Sequence, residues 1–326
     1  MLPWLREDFG NAHSLHHWGR KAEEAVERAR EQVASLFRAD DPSQIIFTSG
    51  ATEANNWALS TAERIAISPF EHSAVREPAL ARNAEIMANA GWELHQPTTY
   101  PDLVAVMAVN NETGAILKPP PGCGRIHIDA VQALGKIPWT TECDFASASA
   151  HKIYGPKGVG ALFARDPYAL APFIRGGDQE HGLRGGTLNV PGIVGFGEAA
   201  RIALDRQQED HSLAHELRGI VLEELQNLSD VRTNDASAQS PFILSLSFAG
   251  IEGETLVIEM DAESYGISAG AACSSRSTEP SHVLTALGLP EAWLRGTIRI
   301  SFGRSNTPTS ALALARLLRQ KVKQLR

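Results

Sequence analysis

Ser147-Ala148-Ser149-Ala150-His151-Lys152-Ile153-Tyr154-Gly155-Pro156-Lys157-Gly158-Val159-Gly160 is the stretch on which the reading of this chain turns. Small residues lead in, a histidine precedes a lysine, and a Gly/Pro-rich turn follows. Gly155, Gly158 and Gly160 permit close backbone approach and positive φ. A lysine at such a bend, with few bulky neighbours, has room for a flat ligand on its amine. By itself the segment reads more readily as an exposed lysine before a turn, the usual place for that residue. The flanking chain shifts the balance.

Immediately around the lysine, Phe145 to Ala148 leads toward it and Gly158 to Ala164 is a strand away from it. Upstream, the strand Arg125 to Ile128 ends in Asp129, and Gln132 lies one turn on. An Asp at the end of an apolar strand is a poorly solvated carboxylate that calls for a cationic partner. Pro119-Pro120-Pro121-Gly122 is a stiff connector with no room for a helix. Before it, the apolar run Leu103 to Val109 reads as the centre of a sheet and opens into Asn110-Asn111-Glu112-Thr113-Gly114. The strand Arg64 to Ser68 runs into Pro69-Phe70-Glu71-His72-Ser73, with a helix predicted from there to about Asn89. His72 thus stands at a strand-to-helix junction, where active-site groups gather in open α/β sheets; the alternative is a helix cap.

Further upstream, Ile45-Ile46-Phe47 reads as a buried strand running into Thr48-Ser49-Gly50-Ala51-Thr52-Glu53, with a helix from about Thr52. Free N–H groups and the helix dipole favour a phosphate there, and Ser49 and Thr52 add hydroxyls; a plain N-cap is the other reading. Arg20 to Phe37 has the apolar spacing of an amphipathic helix. Downstream, residues 176–187 form a glycine-dense loop long enough to be functional. A helix follows from about Pro191 to Arg206, then a polar, charged stretch. We place a domain boundary there: residues 1–206 form a large domain and residues 207–326 a smaller one. The smaller domain carries a strand over Phe242 to Phe248, a helix over Gly253 to Tyr265, and a small-residue loop, Ser268 to Ser275, holding Cys273. A helix over Ser281 to Leu287, a strand over Thr297 to Phe302 and a helix over Pro308 to Leu325 complete it.

Composition narrows the class. The chain has 326 residues and a formal net charge of -8, so a general nucleic-acid surface is not indicated. No apolar run approaches the length of a membrane span, and the N-terminus lacks the order of a secretion signal, which makes the cytoplasm the expected compartment. Three cysteines, Cys123, Cys143 and Cys273, form neither a disulfide framework nor a zinc-ligand spacing. His13, His16 and His17 cluster, and His211 and His215 are four apart, but no ligand spacing accompanies them; no metal is expected.

The strand ends and loops together supply a phosphate cradle at Gly50-Ala51-Thr52, an imidazole at His72 and amides at Asn111 and Gln132. They add a carboxylate at Asp129, an amine at Lys152 and a thiol at Cys273. Pyridoxal phosphate needs this kit: an anion hole, a carboxylate for the ring nitrogen, donors for the ring oxygen and a lysine. The spacing resembles the cysteine desulfurases of the class V aminotransferase superfamily, on the branch with the longer cysteine loop. The stretches that carry the resemblance include Phe9-Gly10-Asn11, His17-Trp18-Gly19-Arg20, Phe47-Thr48-Ser49-Gly50-Ala51-Thr52-Glu53 and Glu71-His72-Ser73. They continue, in family order, through Asn110 to Gly114, His127 to Gln132, Ser149-Ala150-His151-Lys152, Arg184-Gly185-Gly186-Thr187, Ala272-Cys273-Ser274-Ser275 and Ile298 to Ser301.

The resemblance implies fold-type I: a large domain with a mainly parallel seven-stranded sheet between helices, plus a smaller α+β C-terminal domain. It implies that Lys152 is the Schiff-base lysine, that His72 stacks on the pyridine ring, that Asp129 pairs with its nitrogen and Gln132 with its oxygen. Ala51, Thr52, Ser149 and His151 are expected to hold the phosphate, and Thr187 to reach the phosphate of the other subunit of a homodimer. Asn111 is expected to serve cofactor and substrate, Arg299 to take the substrate carboxylate, and Cys273 to receive sulfur from L-cysteine as a persulfide. The onward partner is a sulfur acceptor or iron–sulfur scaffold protein. A selenocysteine lyase, another class V lyase or aminotransferase, and a non-catalytic assembly partner are the competing readings. The chain departs from the family in three places. It begins just short of an N-terminal strand with an Asn-Ala-Thr-Thr segment. Pro119 to Pro121 replaces a helix, and Asp178 stands where glycine is usual.

Overall fold

The computed structural model describes residues 1–139, 142–270 and 280–326, so Cys273 lies outside the described residues. The backbone divides into two units. The first comprises Met1–Met87, Gln96–Ala108 and Lys118–Gln207; the second comprises Ala88–His95, Val109–Leu117 and Gln208–Arg326.

In chain order the strands are β1 (Ile45–Thr48), β2 (Ile65–Ile67), β3 (Glu85–Ile86), β4 (Asn89–Ala90), β5 (Glu93–Leu94), β6 (Leu103–Met107), β7 (Arg125–Asp129), β8 (Phe145–Ser149) and β9 (Gly160–Ala164). β10 (Val231–Thr233), β11 (Ile243–Phe248), β12 (Ser268–Ala269) and β13 (Thr297–Ser301) follow. The first unit holds a seven-stranded sheet in the order β1-β9-β8-β7-β6-β2-β3. β3, β2, β6, β7 and β8 run parallel; β9 is antiparallel to β8 and to β1. This is the mainly parallel, seven-stranded arrangement expected. Because strands β6 and β8 are covered on both faces, every residue of Leu103–Met107 and Phe145–Ser149 is buried. Trp57, Leu59, Ile65, Ile67, Val75, Leu103, Phe145 and Leu162 form a core around it.

The second unit is built on an antiparallel sheet in the order β10-β11-β13-β12. Leu244, Leu246, Ile298 and Ile300 pack there with Leu217, Val221, Leu256, Met260, Leu318 and Val322 from helices Val190–Leu225, Gly253–Asp261 and Pro308–Gln324. No helix among the described residues is long and apolar enough to cross a membrane.

Several expected boundaries move. The helix after His72 stops at Leu80, short of Asn89, because Pro78 interrupts its hydrogen bonding and Asn83 turns left-handed at φ 58°. The chain beyond becomes β3 and β4. The helix predicted to end near Arg206 runs from Val190 to Leu225. Its charges are those of an exposed helical face, as the Arg201 pairs with Glu198 and Asp205 at helical spacing show. The Gly253 helix ends at Asp261, ahead of Ser264 at φ 67°. Ser268 and Ala269, expected in a loop, pair with β13 as an edge strand. No helix lies between β6 and β7, where the proline run stands.

Candidate active site

In the first unit, the polar groups collect where β1, β2, β7 and β8 end. The helix Ala51–Ser60 starts directly after β1, and Gly50 caps it without a side-chain bond. Beyond Ala51, its leading N–H groups therefore remain available to an anion. Ser149, the last residue of β8, accepts the Ala51 N–H on its Oγ at 2.8 Å, which ties this loop to the strand before Lys152. Gly160 makes that approach possible: a Cβ there would lie 2.4 Å from the Ala148 carbonyl oxygen and 2.6 Å from Gly50 Cα. Glu53 secures the loop from its other side. It accepts the Ser49 N–H at 2.8 Å and pairs with Arg184 at 2.9 Å, on the glycine-dense segment leading to Thr187. Thr52 and Thr187 are exposed.

Lys152 follows β8 in a single 3-10 turn, Ala150–Ile153, which Tyr154 ends in the left-handed region at φ 68°. Lys152 and His151 are exposed. Partial burial, then the charges of Lys152, Lys157 and Lys136, push the His151 imidazole down. The same ammonium groups give this end of the sheet the sign a phosphate requires. His72 is half-buried and caps the helix Ser73–Leu80, its Nδ1 accepting the Ala74 N–H at 3.0 Å. The cap fixes the ring, as the helix-cap reading of His72 expects.

Asp129 ends β7 at 5 % exposure. Its Oδ1 accepts the Val131 N–H at 3.1 Å and its Oδ2 the Asn55 side-chain amide at 3.0 Å. Burial raises this carboxyl above its ordinary value; the Val131 N–H, the His72 charge, Asn55 and Lys152 oppose the rise. Gln132 accepts from Lys136 Nζ at 2.5 Å on its Oε1, which turns the NH₂ end outward as a donor. A flat ring carrying a cationic nitrogen, an acidic oxygen, a phosphate and an aldehyde fits this donor set. A buried carboxylate suits such a nitrogen, an amide donor such an oxygen, a helix N-terminus a phosphate, and an exposed amine an aldehyde.

In the second unit, Asn110 folds the segment after β6 into a turn, its Oδ1 accepting the N–H of Glu112 at 3.0 Å and of Thr113 at 2.9 Å. Asn111 is half-buried, and its carbonyl accepts from Arg299 Nη1 at 2.9 Å. Arg299 sits mid-strand in β13, between Ile298 and Ile300, and also donates to Ser268 Oγ at 3.3 Å. Sequence reasoning overlooked Glu112, which is buried, bonded to Ser281 Oγ at 2.5 Å and pushed up to about 7 by burial, against Ser281 and the Arg299 charge. It also overlooked Asn55, His127 and the acid form of Glu71; of these only His127, between Ile126 and Ile128 in β7, carries a local signal in the sequence. Of the other thiols, Cys143 is buried, and burial pushes it up to about 12, so it is a poor nucleophile. Cys123 is half-buried, and its thiol is also raised by burial.

The aminotransferase class-V family model matches residues 1–314. The chain is 37 % identical to the protein named cysteine desulfurase IscS of Dictyoglomus turgidum (strain DSM 6724 / Z-1310), over 100 % of this chain and 91 % of that one. The solved structure titled NifS-like protein superposes with a TM-score of 0.88 at 33 % identity, covering 99 % of this chain and 94 % of that one. The structure titled SspA in complex with cysteine has a TM-score of 0.76 at 30 % identity, covering 94 % of each chain.

Proposed function

The chain belongs to the class-V aminotransferase family, in its cysteine desulfurase branch, and we propose that it removes sulfur from L-cysteine with pyridoxal phosphate. The products are L-alanine and a persulfide on Cys273, for iron–sulfur cluster assembly or another sulfur-transfer route. The observation that carries this reading is Asp129: a buried carboxylate, bonded on both oxygens, with His72 and Lys152 as its charged neighbours. Relatives that bear the name cysteine desulfurase support it.

Pyridoxal phosphate, when bound, supplies an electron sink that acidifies the Cα–H of an amino acid. Asp129 holds the proton on the ring nitrogen, Gln132 donates to the ring oxygen, and His72 stacks on the ring. Ala51, Thr52, Ser149 and His151 hold the phosphate, and Asn111 orients the cofactor and substrate. The Lys152 amine would hold the aldehyde, and its Nζ would take the Cα proton. Arg299 takes the substrate carboxylate. Cys273, as thiolate, attacks the substrate sulfur: the S–S bond forms as the carbon–sulfur bond breaks, the electron pair stays with carbon, and a proton there completes alanine.

Residues 1–206 carry the cofactor in this reading and residues 207–326 the cysteine loop. Thr187 serves the phosphate of a second copy, so the working unit is a homodimer, and the compartment is the cytoplasm. Cys273→Ser keeps the cofactor's colour and loses sulfide release from L-cysteine in the presence of a thiol reductant. Normal sulfide release from that variant would exclude the persulfide step.

A further inference from the structure

Behind Asp129 lie two buried polar side chains, His127 and Asn55, of which only the Asn55 bond to Asp129 enters the reading above. Alternation along β7 puts His127 on the same face as Asp129. His127 and Asn55 are both 0 % exposed, and Asn55 lies one turn into the helix Ala51–Ser60. Asn55 joins the other two: its Nδ2 donates to Asp129 Oδ2 at 3.0 Å, and its Oδ1 meets His127 Nε2 at 2.8 Å. His127 Nδ1 lies toward the Phe145 backbone without a bond of full geometry, while Nε2 faces an acceptor, Asn55 Oδ1, so the ring proton belongs on Nε2. Complete burial drives this imidazole down to about 3, which keeps it neutral.

An amide has one accepting end and one donating end. With the His127 Nε2–H on Oδ1, only the NH₂ of Asn55 can face Asp129. The reversed amide would set oxygen against a carboxylate, which Asp129 tolerates only when protonated. The remaining groups around Asp129 are the Val131 N–H, the His72 imidazole, the Lys152 ammonium and the Glu71 carboxyl.

We propose that His127 is a positioning residue: through Asn55 it holds Asp129 as an acceptor-only carboxylate, and so keeps the cofactor's ring nitrogen protonated. This rests on the assignment of Asp129 to that nitrogen. The helix Ala51–Ser60 then acts twice on one ligand, at the phosphate through its N-terminus and at the ring nitrogen through Asn55.

The test loads the full chain with pyridoxal phosphate labelled with ¹⁵N in the ring. It follows the ring-nitrogen NMR signal and the pH midpoint of the cofactor's absorbance. His127→Leu should move the ring-nitrogen signal toward unprotonated pyridine and raise the midpoint by about one pH unit, the scale of one lost hydrogen bond to a charged group. Asn55→Ala should give the same shift, and the double variant no more than either alone. His127→Gln, which retains an N–H donor, should recover most of the shift. A lower Tm with signal and midpoint unchanged in His127→Leu, or additive shifts in the double variant, would overturn the proposal. Should His127→Leu not fold, His127→Gln and Asn55→Ala decide it: Asn55→Ala without a shift, or His127→Gln shifted as far as Asn55→Ala, overturns it. Asp129→Asn that leaves the ring-nitrogen signal in place would instead sink the parent assignment, whatever His127 does.

Discussion

The ends of β7 and β2 bury one carboxyl group each, and they treat them differently. Asp129, at the end of β7, has a donor on each oxygen and the charges of His72 and Lys152 nearby. Glu71, four residues past β2, receives the Ser68 hydroxyl at 2.5 Å and the Met107 N–H at 2.7 Å on the same oxygen, Oε1. Burial pushes Glu71 up to about 8, and the Asp129 charge adds to the rise. Burial raises Asp129 as well, but its N–H donors and the Lys152 charge oppose that rise, whereas the neighbouring Asp129 charge reinforces the rise of Glu71. Burial pushes both carboxyls up, and the donors and charges around each decide what opposes or reinforces the rise.

The strongest way to break this contrast is Asp129→Asn, which removes the charge and keeps the shape. Turnover of L-cysteine should fall by about 10²–10³-fold, the scale of losing one preorganised electrostatic partner. Steady-state alanine formation measures it, and a loss below tenfold would remove Asp129 from the chemistry. Glu71→Gln imitates the protonated acid. A carboxyl protonated when folded and ionised when unfolded favours folding below the ordinary carboxylate range. That contribution drains away as pH rises through the window from there to about 8, by at most about 1.4 kcal/mol per pH unit. The variant should flatten the decline in chemical-denaturation stability across that window while leaving the acid side unchanged. An unaltered pH profile would show that Glu71 is already ionised.

Gly160→Ala probes the close packing of β9 against the Gly50 loop. Its methyl must displace the Ala148 carbonyl or Gly50, at an overpacking cost of about 1–3 kcal/mol. Lower thermal stability together with weaker cofactor retention should follow; unchanged retention would detach Gly50 from phosphate binding. Ser149→Ala should have the smallest effect. Losing the bond to the Ala51 N–H, about 1 kcal/mol, should raise the cofactor dissociation constant by about fivefold in a fluorescence titration.

Much of the architecture was legible because parallel strands announce themselves. Leu103 to Met107 is wholly apolar, and Ile128 gives way abruptly to Asp129, so both strand and strand end could be read locally. His72 was legible for the same reason. Partnerships were not legible. Asn55 and His127 are 72 residues apart, and Arg30 grips Glu180 across 150 residues with two bonds of 2.8 Å. Periodicity states which face a residue occupies and says nothing about what meets it there. Helix ends were misjudged where composition misled. Pro78 hid inside a helix whose true end is Leu80, and the charged run past Arg206 resembled a linker while its neighbour Arg201 was pairing along a helix.

The helix Ala51–Ser60 also constrains how this sequence can drift. Each inserted or deleted residue between Ala51 and Asn55 swings the latter by about 100° around the axis, away from Asp129 and His127. Substitutions in that turn are negotiable, whereas changes in its length are not. The connector around Pro119 to Pro121 faces no such ruler, and there the chain has room to gain or shed whole segments.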